Sequence, residues 1–579
     1  MHKNYFNCKR SIFSYIMKKS FRYFPTCLTL LAILLLTVPA SAAKNNATDK
    51  AIVKVLTYDA QDKPLQTGYG FFLSQKGEAI APYTLLKDAC RAEVKDSKGK
   101  TWKVMRIQGA SDIYDVVKFS TDCKESPALP LAQQPATKGA QVTRYLSNGD
   151  KGLTPLSAQI TEAKKYDNLT YYTLTSKADN ATAGTPLLDD KGQVIGIMQK
   201  SADKDLTKSY AADVAVVQFL STSGLSAGQS VLQSIHIPKQ LPADTLQAAT
   251  YLYLLQTNSS DSTAYLTALE DFKQIFPQKA TGYVEHAAFA ASRQQFAQAE
   301  TEYEAAFQHA DNQAEVHYNF SKLLYRLNMY KSYQTYKDWT LEKALNEAQQ
   351  AYEIMPMPLY QLQIGDCQFA LKQYDAAFQT YQAVNASDFR SEKTFFYAAR
   401  TRELMDDDST VVLALMDSAM FRFPEPYSSE AGPYLLQRAQ LRYKYGQYRK
   451  SALDFDAYEK LIGSHNLNDN FFYMKEQADL AAHIYPWAMS DIEKCLSIRP
   501  NDYLYIVEKA IVHLHVGDYE EAIYEAQRAA KIDSKGADAY KVIGIAYGQQ
   551  GNKTEALKYL NQAKTLGDPQ VDEWIEKLK

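Results

Sequence analysis

An all-β domain followed by an all-α solenoid is the fold class that this sequence predicts, and three observations predict it. Short β-rich runs separated by turn residues fill residues 50 to about 220. Helical periodicity with a recurring 34-residue interval fills about 243 to the end. Between them the pattern loosens around Gly224, Gly228 and Pro238, so residues 223–242 read as a linker. The overall numbers agree with a folded multidomain chain. With 579 residues, roughly three to five ordinary domains would fit. Hydrophobic residues at 46% and charged residues at 22% exclude wholesale disorder. Lys and Arg number 64 against 66 Asp and Glu, and a net charge of −2 supplies no bulk positive field for nucleic acid. Six Cys are too few for a disulfide-built scaffold.

Residues 1–43 read as an export signal. Leu28 to Val38 is a continuous apolar run, shorter than the roughly 20 residues that span a bilayer. Lys18, Lys19 and Arg22 precede it, and Ala40-Ser41-Ala42 follows as a small-x-small cleavage site. The basic lead-in is long, and Met17 makes the tidier start. The mature chain is therefore expected to begin near Ala43, to carry no transmembrane span and to work outside the cytoplasm. The periplasm is the expected place, with the outer-membrane surface and secretion left open.

In 44–222, Ala51 to Tyr58, Gly70 to Leu73, Ala79 to Tyr83, Thr101 to Val104 and Val194 to Ile197 are apolar or β-branched runs. Asp96-Ser-Lys-Gly99 and Asp189-Asp-Lys-Gly192 are the turns that fold such runs back. This spacing predicts a sandwich or a barrel.

In 243–579, Gly517-Asp-Tyr-Glu-Glu-Ala522 recurs as Gly551-Asn-Lys-Thr-Glu-Ala556, and Ala529 recurs as Ala563. The best copy spans Ala537 to Gln570, where Gly544, Ala556 and Ala563 let two helices approach closely. Weaker copies are marked by Gly446, Gly365 and Ala287. About ten extra residues, Met329–Trp339, fall inside one hairpin. Eight to ten helix pairs are expected, and their aromatic packing explains most of the 42 Tyr. The period resembles that of tetratricopeptide repeats, closely over 469–570 and more loosely elsewhere. In that family the second, fifth, ninth and twelfth positions of each repeat line a concave groove. The resemblance therefore nominates Asp538, Lys541, Ile545 and Gly548 in one copy, and Tyr473 and Gln477 in another. Each of these could equally be an ordinary surface or packing residue.

Thr67-Gly-Tyr-Gly-Phe-Phe-Leu-Ser-Gln-Lys-Gly77 resembles the hairpin that opens trypsin-like serine proteases of the bacterial high-temperature-requirement type. Asp112-Ile-Tyr-Asp-Val-Val-Lys-Phe119, Ala181-Thr-Ala-Gly-Thr-Pro-Leu187 and Tyr210-Ala-Ala-Asp-Val214 match later segments of that family in order. The resemblance covers about residues 50–222 and implies a double β-barrel. It places Thr84 at the family's His position, Asp115 at its Asp and Ala183 at its nucleophile, while Gly184 and Pro186 match. Acyl transfer by that route needs a hydroxyl and a base to take its proton. Alanine supplies no nucleophile, threonine no basic nitrogen, and no histidine occurs between residues 3 and 235. Ala181 and Thr185 stand where the family's glycines turn the backbone toward an oxyanion. The domain is thus expected to be a pseudoprotease and not an enzyme. A hydroxyl–lysine pair, Thr182 or Ser176 with Lys177 or Lys200, has only the abundance of such residues behind it.

Other candidates are slight. Cys90 and Cys123 could bridge in an exported domain or lie apart as buried thiols. Cys367 and Cys495 read as buried and free. His513 and His515 diverge on a helix, and Asp406-Asp-Asp408 lacks a calcium loop's spacing, so no metal is expected. No glycine-rich phosphate loop is present in the sequence, and no cofactor is expected. Asp244-Thr-Leu246 and Asp417-Ser-Ala419 resemble the loose O-glycosylation triplet of Bacteroidetes bacteria. The expected function is an exported scaffold whose repeats bind a protein or an extended peptide. The competing reading is a serine-protease-like enzyme of non-standard mechanism, with the repeats recruiting substrate.

Overall fold

The computed structural model describes residues 48–149, 152–202, 206–258, 262–330 and 336–578; the expected export signal lies outside them. The chain separates into two compact units, Met1–Pro242 and Ala243–Lys579.

The first unit holds two closed six-stranded barrels. The first takes β1 (Ile52–Tyr58), β2 (Pro64–Phe72), β3 (Glu78–Ala81), β4 (Arg91–Lys95), β5 (Thr101–Ser111) and β6 (Val116–Thr121) in the ring order β1-β2-β3-β6-β5-β4. The second takes β7 (Gln141–Ser147), β8 (Leu153–Tyr166), β9 (Leu169–Leu174), β10 (Pro186–Leu188), β11 (Val194–Gln199) and β12 (Ser209–Asp213) in the ring order β10-β11-β12-β9-β8-β7. The strands are apolar on both faces for a reason. Side chains alternate along a strand, so Val53, Val55, Phe72, Ala79, Ala81, Val117 and Phe119 fill the first barrel. Their neighbours Ile52, Phe71, Ile80 and Val116 join Leu169, Leu188, Val194 and Ile197 of the second barrel in a separate core. The turns share one chemistry. Asp96 Oδ1 accepts the N–H groups of Lys98 and Lys100, and Asp189 Oδ1 those of Lys191 and Gln193. Gly99 and Gly192 supply the positive φ these turns need, +91° and +76°.

Two expectations are corrected here. Residues 223–242 are not a loose connection. Leu232, Ile235 and Ile237 enter the core of the first barrel, the Asp88 N–H donates to Ser234 O at 2.7 Å, and the Ile107 N–H donates to Pro238 O at 2.8 Å. Nor does a disulfide join Cys90 to Cys123. Cys90 leads into β4 and Cys123 follows β6, with β5 lying between those strands. Two strand spacings are roughly 10 Å, more than a disulfide reaches.

The second unit is all-α. Among the described residues it comprises nine helical hairpins and a closing helix. They are α1 (Thr245–Asn258), α2 (Ser262–Ile275), α3 (Ala280–Ser292), α4 (Phe296–His309), α5 (Gln313–Met329), α6 (Leu341–Ile354), α7 (Pro358–Ala370), α8 (Tyr374–Asn385), α9 (Glu392–Leu404), α10 (Ser409–Met420), α11 (Gly432–Lys444), α12 (Tyr448–Ile462), α13 (Asp469–Ala481), α14 (Tyr485–Ile498), α15 (Tyr503–Val516), α16 (Tyr519–Ile532), α17 (Ala537–Gln549), α18 (Lys553–Thr565) and α19 (Val571–Leu578). First helices begin at 469, 503 and 537, and second helices at 485, 519 and 553, so the 34-residue interval is kept. The small residues act as expected. A Cβ on Gly544 would lie 2.7 Å from Leu560 Cγ, and Ala556 and Ala563 are fully buried. The extra residues separate α5 from α6, and Trp339 at their end packs against Phe296 and Phe320.

Candidate functional site

The three protease-like positions come from three separate turns. Thr84 lies in a single helical turn, Tyr83–Leu86, just after β3. Asp115 sits in the β5–β6 turn with φ +47°. The Thr84 N–H donates to Asp115 Oδ1 at 2.7 Å, and the Thr84 hydroxyl donates to Asp115 Oδ2 at 3.1 Å. Both carboxylate oxygens are therefore engaged by one residue that has no imidazole. Ala183 follows a short 3-10 turn, Asn180–Thr182, and is buried. Gly184 binds that segment to the one bearing Thr84. Its φ is +88°, and a Cβ there would lie 2.1 Å from Tyr69 O and 2.5 Å from Pro82 Cδ. Gly184→Ala is accordingly expected to destabilise the barrel unit by about 2 kcal/mol or more, read as a lower midpoint in its thermal unfolding; an unchanged midpoint would mean that this contact is not made.

Backbone donors beside Ala183 are turned inward. The Ala181 N–H goes to Asp179 Oδ1 at 3.1 Å, the Thr182 N–H to Asp179 O at 3.0 Å and the Ala183 N–H to Asn180 O at 3.4 Å. An oxyanion needs such donors preorganised toward it; here they close the 3-10 turn instead. Beneath this turn lies Arg144, fully buried. Its guanidinium donates to Lys177 O at 2.6 Å, Ser176 Oγ at 3.1 Å and Thr182 Oγ1 at 3.5 Å. Burial lowers its pKa, and the field of Asp179 opposes that. Sequence reading missed Arg144, although the period of two along β7 aligns it with the core residue Val142. The alternative hydroxyls are also engaged. Ser176 Oγ lies 3.0 Å from Ser209 Oγ, and Thr182 Oγ1 donates to Asp179 O at 2.8 Å.

The nominated repeat residues divide. Tyr473 and Gln477 share one neighbourhood on α13. The Tyr473 hydroxyl donates to Glu508 Oε1 at 3.5 Å, and the Gln477 amide donates to Glu476 Oε2 at 2.8 Å. Asp538 and Lys541 face each other at 3.1 Å, and Lys541 also reaches Asp568 at 2.7 Å. Ile545 is half-buried and packs against the terminal apolar cluster of Leu560, Val571 and Ile575. Sequence reading missed Glu476 and Glu508. The available signal for Glu476 was its register, because Ala510 and Gly544 occupy the same place 34 and 68 residues later.

Glu270, His286 and Glu302 converge as cation ligands would, but the Lys273 ammonium sits among them. It is 2.8 Å from Glu270 Oε1, 3.0 Å from Glu302 Oε1 and 3.1 Å from His286 Nδ1. The cluster thus already holds the protein's own cation.

No family model matches the sequence, and no curated protein matches it. Many solved structures are similar to part of the chain, two proteases among them. The active form of a protease from M. tuberculosis is 20% identical over 38% of this chain and 96% of its own, with a TM-score of 0.28. A serine endoprotease from Yersinia pestis is 16% identical over 34% of this chain and 68% of its own, also with a TM-score of 0.28.

Proposed function

We propose that this chain is an exported binding scaffold, in which a catalytically inert trypsin-like double barrel is joined to a tetratricopeptide-type array that holds a protein or an extended peptide. The observation that carries this reading is the Thr84–Asp115 pair. The carboxylate is present and oriented, yet what it orients is a threonine. Without a base no hydroxyl loses its proton, and loss of such groups costs many orders of magnitude in rate. The inward-turned amides of residues 181–183 remove the electrostatic part of the same chemistry. Both barrels are closed rings, which leaves peptide addition at a strand edge little to pair with. Binding is therefore assigned to the helical unit, since arrays of hairpins present extended surfaces.

Two assays test this. Incubation of the mature chain with a fluorophosphonate probe is expected to leave it unlabelled; labelling abolished by mutating one hydroxyl in 50–222 would make it an enzyme. Affinity capture from cell-envelope extract is expected to recover a partner that depends on residues 243–579. Recovery of none that does so would end the scaffold reading.

A further inference from the structure

Three consecutive first helices, α11, α13 and α15, bring Tyr443, Tyr473, Glu476, Gln477 and Glu508 together. Glu476 is fully buried. Its Oε2 accepts the Gln477 amide, and its Oε1 has no hydrogen-bond partner among the described residues. Glu508 accepts the Tyr473 hydroxyl and is also supported by Gln477. Gln477 therefore stands between two carboxyl groups. No ion pair reaches either of them among the described residues. Lys475, next along α13, is committed elsewhere, to Asp491 at 2.6 Å and Glu459 at 3.0 Å.

The surroundings deepen the deficit of positive charge. Tyr443 from α11 feels both carboxylates. Asp491 from α14 acts on Glu476, and Asp538 from α17 acts on Glu508. Burial pushes Glu476 up to about 8, and the charge of Glu508 adds to the rise. Burial also raises Glu508, with Asp538 adding to it. A buried carboxyl group beside a half-buried one without a cation is costly, and an arriving cation would relieve both. The aromatic members of the cluster are Tyr473 and Tyr443, and Tyr443 is 37% exposed. Tyrosine faces and carboxylates together favour cations.

We propose that this acidic, tyrosine-walled cradle receives a cationic side chain, an arginine or lysine of the extended peptide or partner that the array holds. The inference rests on the scaffold reading and names the chemistry of its ligand. Its absent element is a positive charge: the only donors facing the two carboxyl groups among the described residues are neutral, the Tyr473 hydroxyl and the Gln477 amide.

The test uses the full mature chain and a fluorescent octapeptide of alternating arginine and alanine, titrated by anisotropy at low and at physiological ionic strength. The matching glutamate–alanine peptide is the control. Saturable binding of the arginine peptide is expected, weakened about tenfold or more by the double change Glu476→Gln and Glu508→Gln. Glutamine keeps the size of the side chain, and circular dichroism verifies folding. Glu520→Gln with Glu521→Gln, two exposed carboxylates at the start of α16, is expected to leave affinity unchanged. Absent or unsaturable binding, or equal weakening by both double variants, would overturn the cradle. The two readings fail separately. A partner captured by the helical unit with no dependence on Glu476 and Glu508 keeps the scaffold and removes the cradle. Arginine-peptide binding that meets these criteria, with no partner captured, does the reverse.

Discussion

Replacing Lys475 by methionine is expected to destabilise the helical unit by about 3–5 kcal/mol, the usual cost of leaving buried charge unpaired. The Lys475 side chain is 5% exposed and its ammonium lies among three carboxyl groups from three helices. Asp491 Oδ2 of α14 is 2.6 Å away, Glu459 Oε2 of α12 is 3.0 Å away and Asp479 Oδ2 on α13 itself is 3.9 Å away. Lys494 bonds the remaining oxygens of Glu459 and Asp491, at 2.6 and 2.9 Å. With Lys475 gone, one cation would face all three carboxyl groups inside the array. The damage should be local, because α12, α13 and α14 are joined through this ammonium. Hydrogen exchange of the full chain is expected to show lost protection across 448–498 and unchanged protection in the barrels. Lys460→Met is the comparison. Lys460 pairs with Asp456 at 2.7 Å, but its side chain is 77% exposed. Such a pair is worth about 0.5 kcal/mol. Equal effects from the two substitutions would show that burial of the Lys475 network carries no energetic weight.

The sequence made some of this legible and hid the rest for physical reasons. Turn chemistry is local, so Asp96 to Gly99 and Asp189 to Gly192 could be read directly as hairpin turns. The helical array announced itself because Gly544, Ala556 and Ala563 recur at a fixed interval with their neighbours. Alignment to a known segment order gave Thr84 and Asp115 their positions, and only the structure shows the two hydrogen bonds between them. Residues 223–242 were misread because Leu232, Ile235 and Ile237 are too few to establish a period. Cys90 and Cys123 showed only that they could be oxidised; their separation depends on β5 lying between their strands. Arg144 and Glu476 are charged residues at positions where period or repeat predicts small or apolar ones. Such violations mark where tertiary neighbours, not local preference, set the residue. How far the neighbours meet the charge is visible only in three dimensions: the Arg144 Nη atoms reach carbonyl and hydroxyl oxygens while its Nε has no partner among the described residues, and Glu476 Oε1 likewise has none.

Raising the pH from 6 to 9 is expected to weaken the helical unit, against the common pattern in which folded carboxylates gain stability as they ionise. Glu476 is raised by burial to about 8. Asp479 is fully buried, neither of its oxygens accepts a hydrogen bond, the Lys475 ammonium stands off at 3.9 Å, and the side chain faces Asp491. Both features are explained if Asp479 keeps its proton and donates it to Asp491; burial first, and Asp491 next, raise its pKa. In the unfolded chain both groups ionise near 4. Between that value and the folded one the native state holds more protons than the unfolded state, so stability falls as pH rises. Their contribution is fully present below about pH 4 and is lost as pH passes the folded values. For Glu476 alone, the span from pH 6 to about 8 corresponds to roughly 2–3 kcal/mol. Glu459 works in the opposite direction. Burial would raise it, but hydrogen bonds from Lys494, Ser464 and Lys475 hold it down at about 2. Its contribution is present above about pH 4 and is lost toward pH 2. From these groups the helical unit should therefore be most stable near pH 4, where the two losses meet. Thermal melts of the full chain followed by far-ultraviolet circular dichroism at a series of pH values measure this. Glu476→Gln combined with Asp479→Asn should match the parent near pH 4 and exceed it at pH 9, since the amides keep the neutral form without a proton to lose. Parallel curves for parent and variant on the alkaline side would mean that neither carboxyl holds its proton, and that the orphaned oxygens of Asp479 are ionised against Asp491 after all.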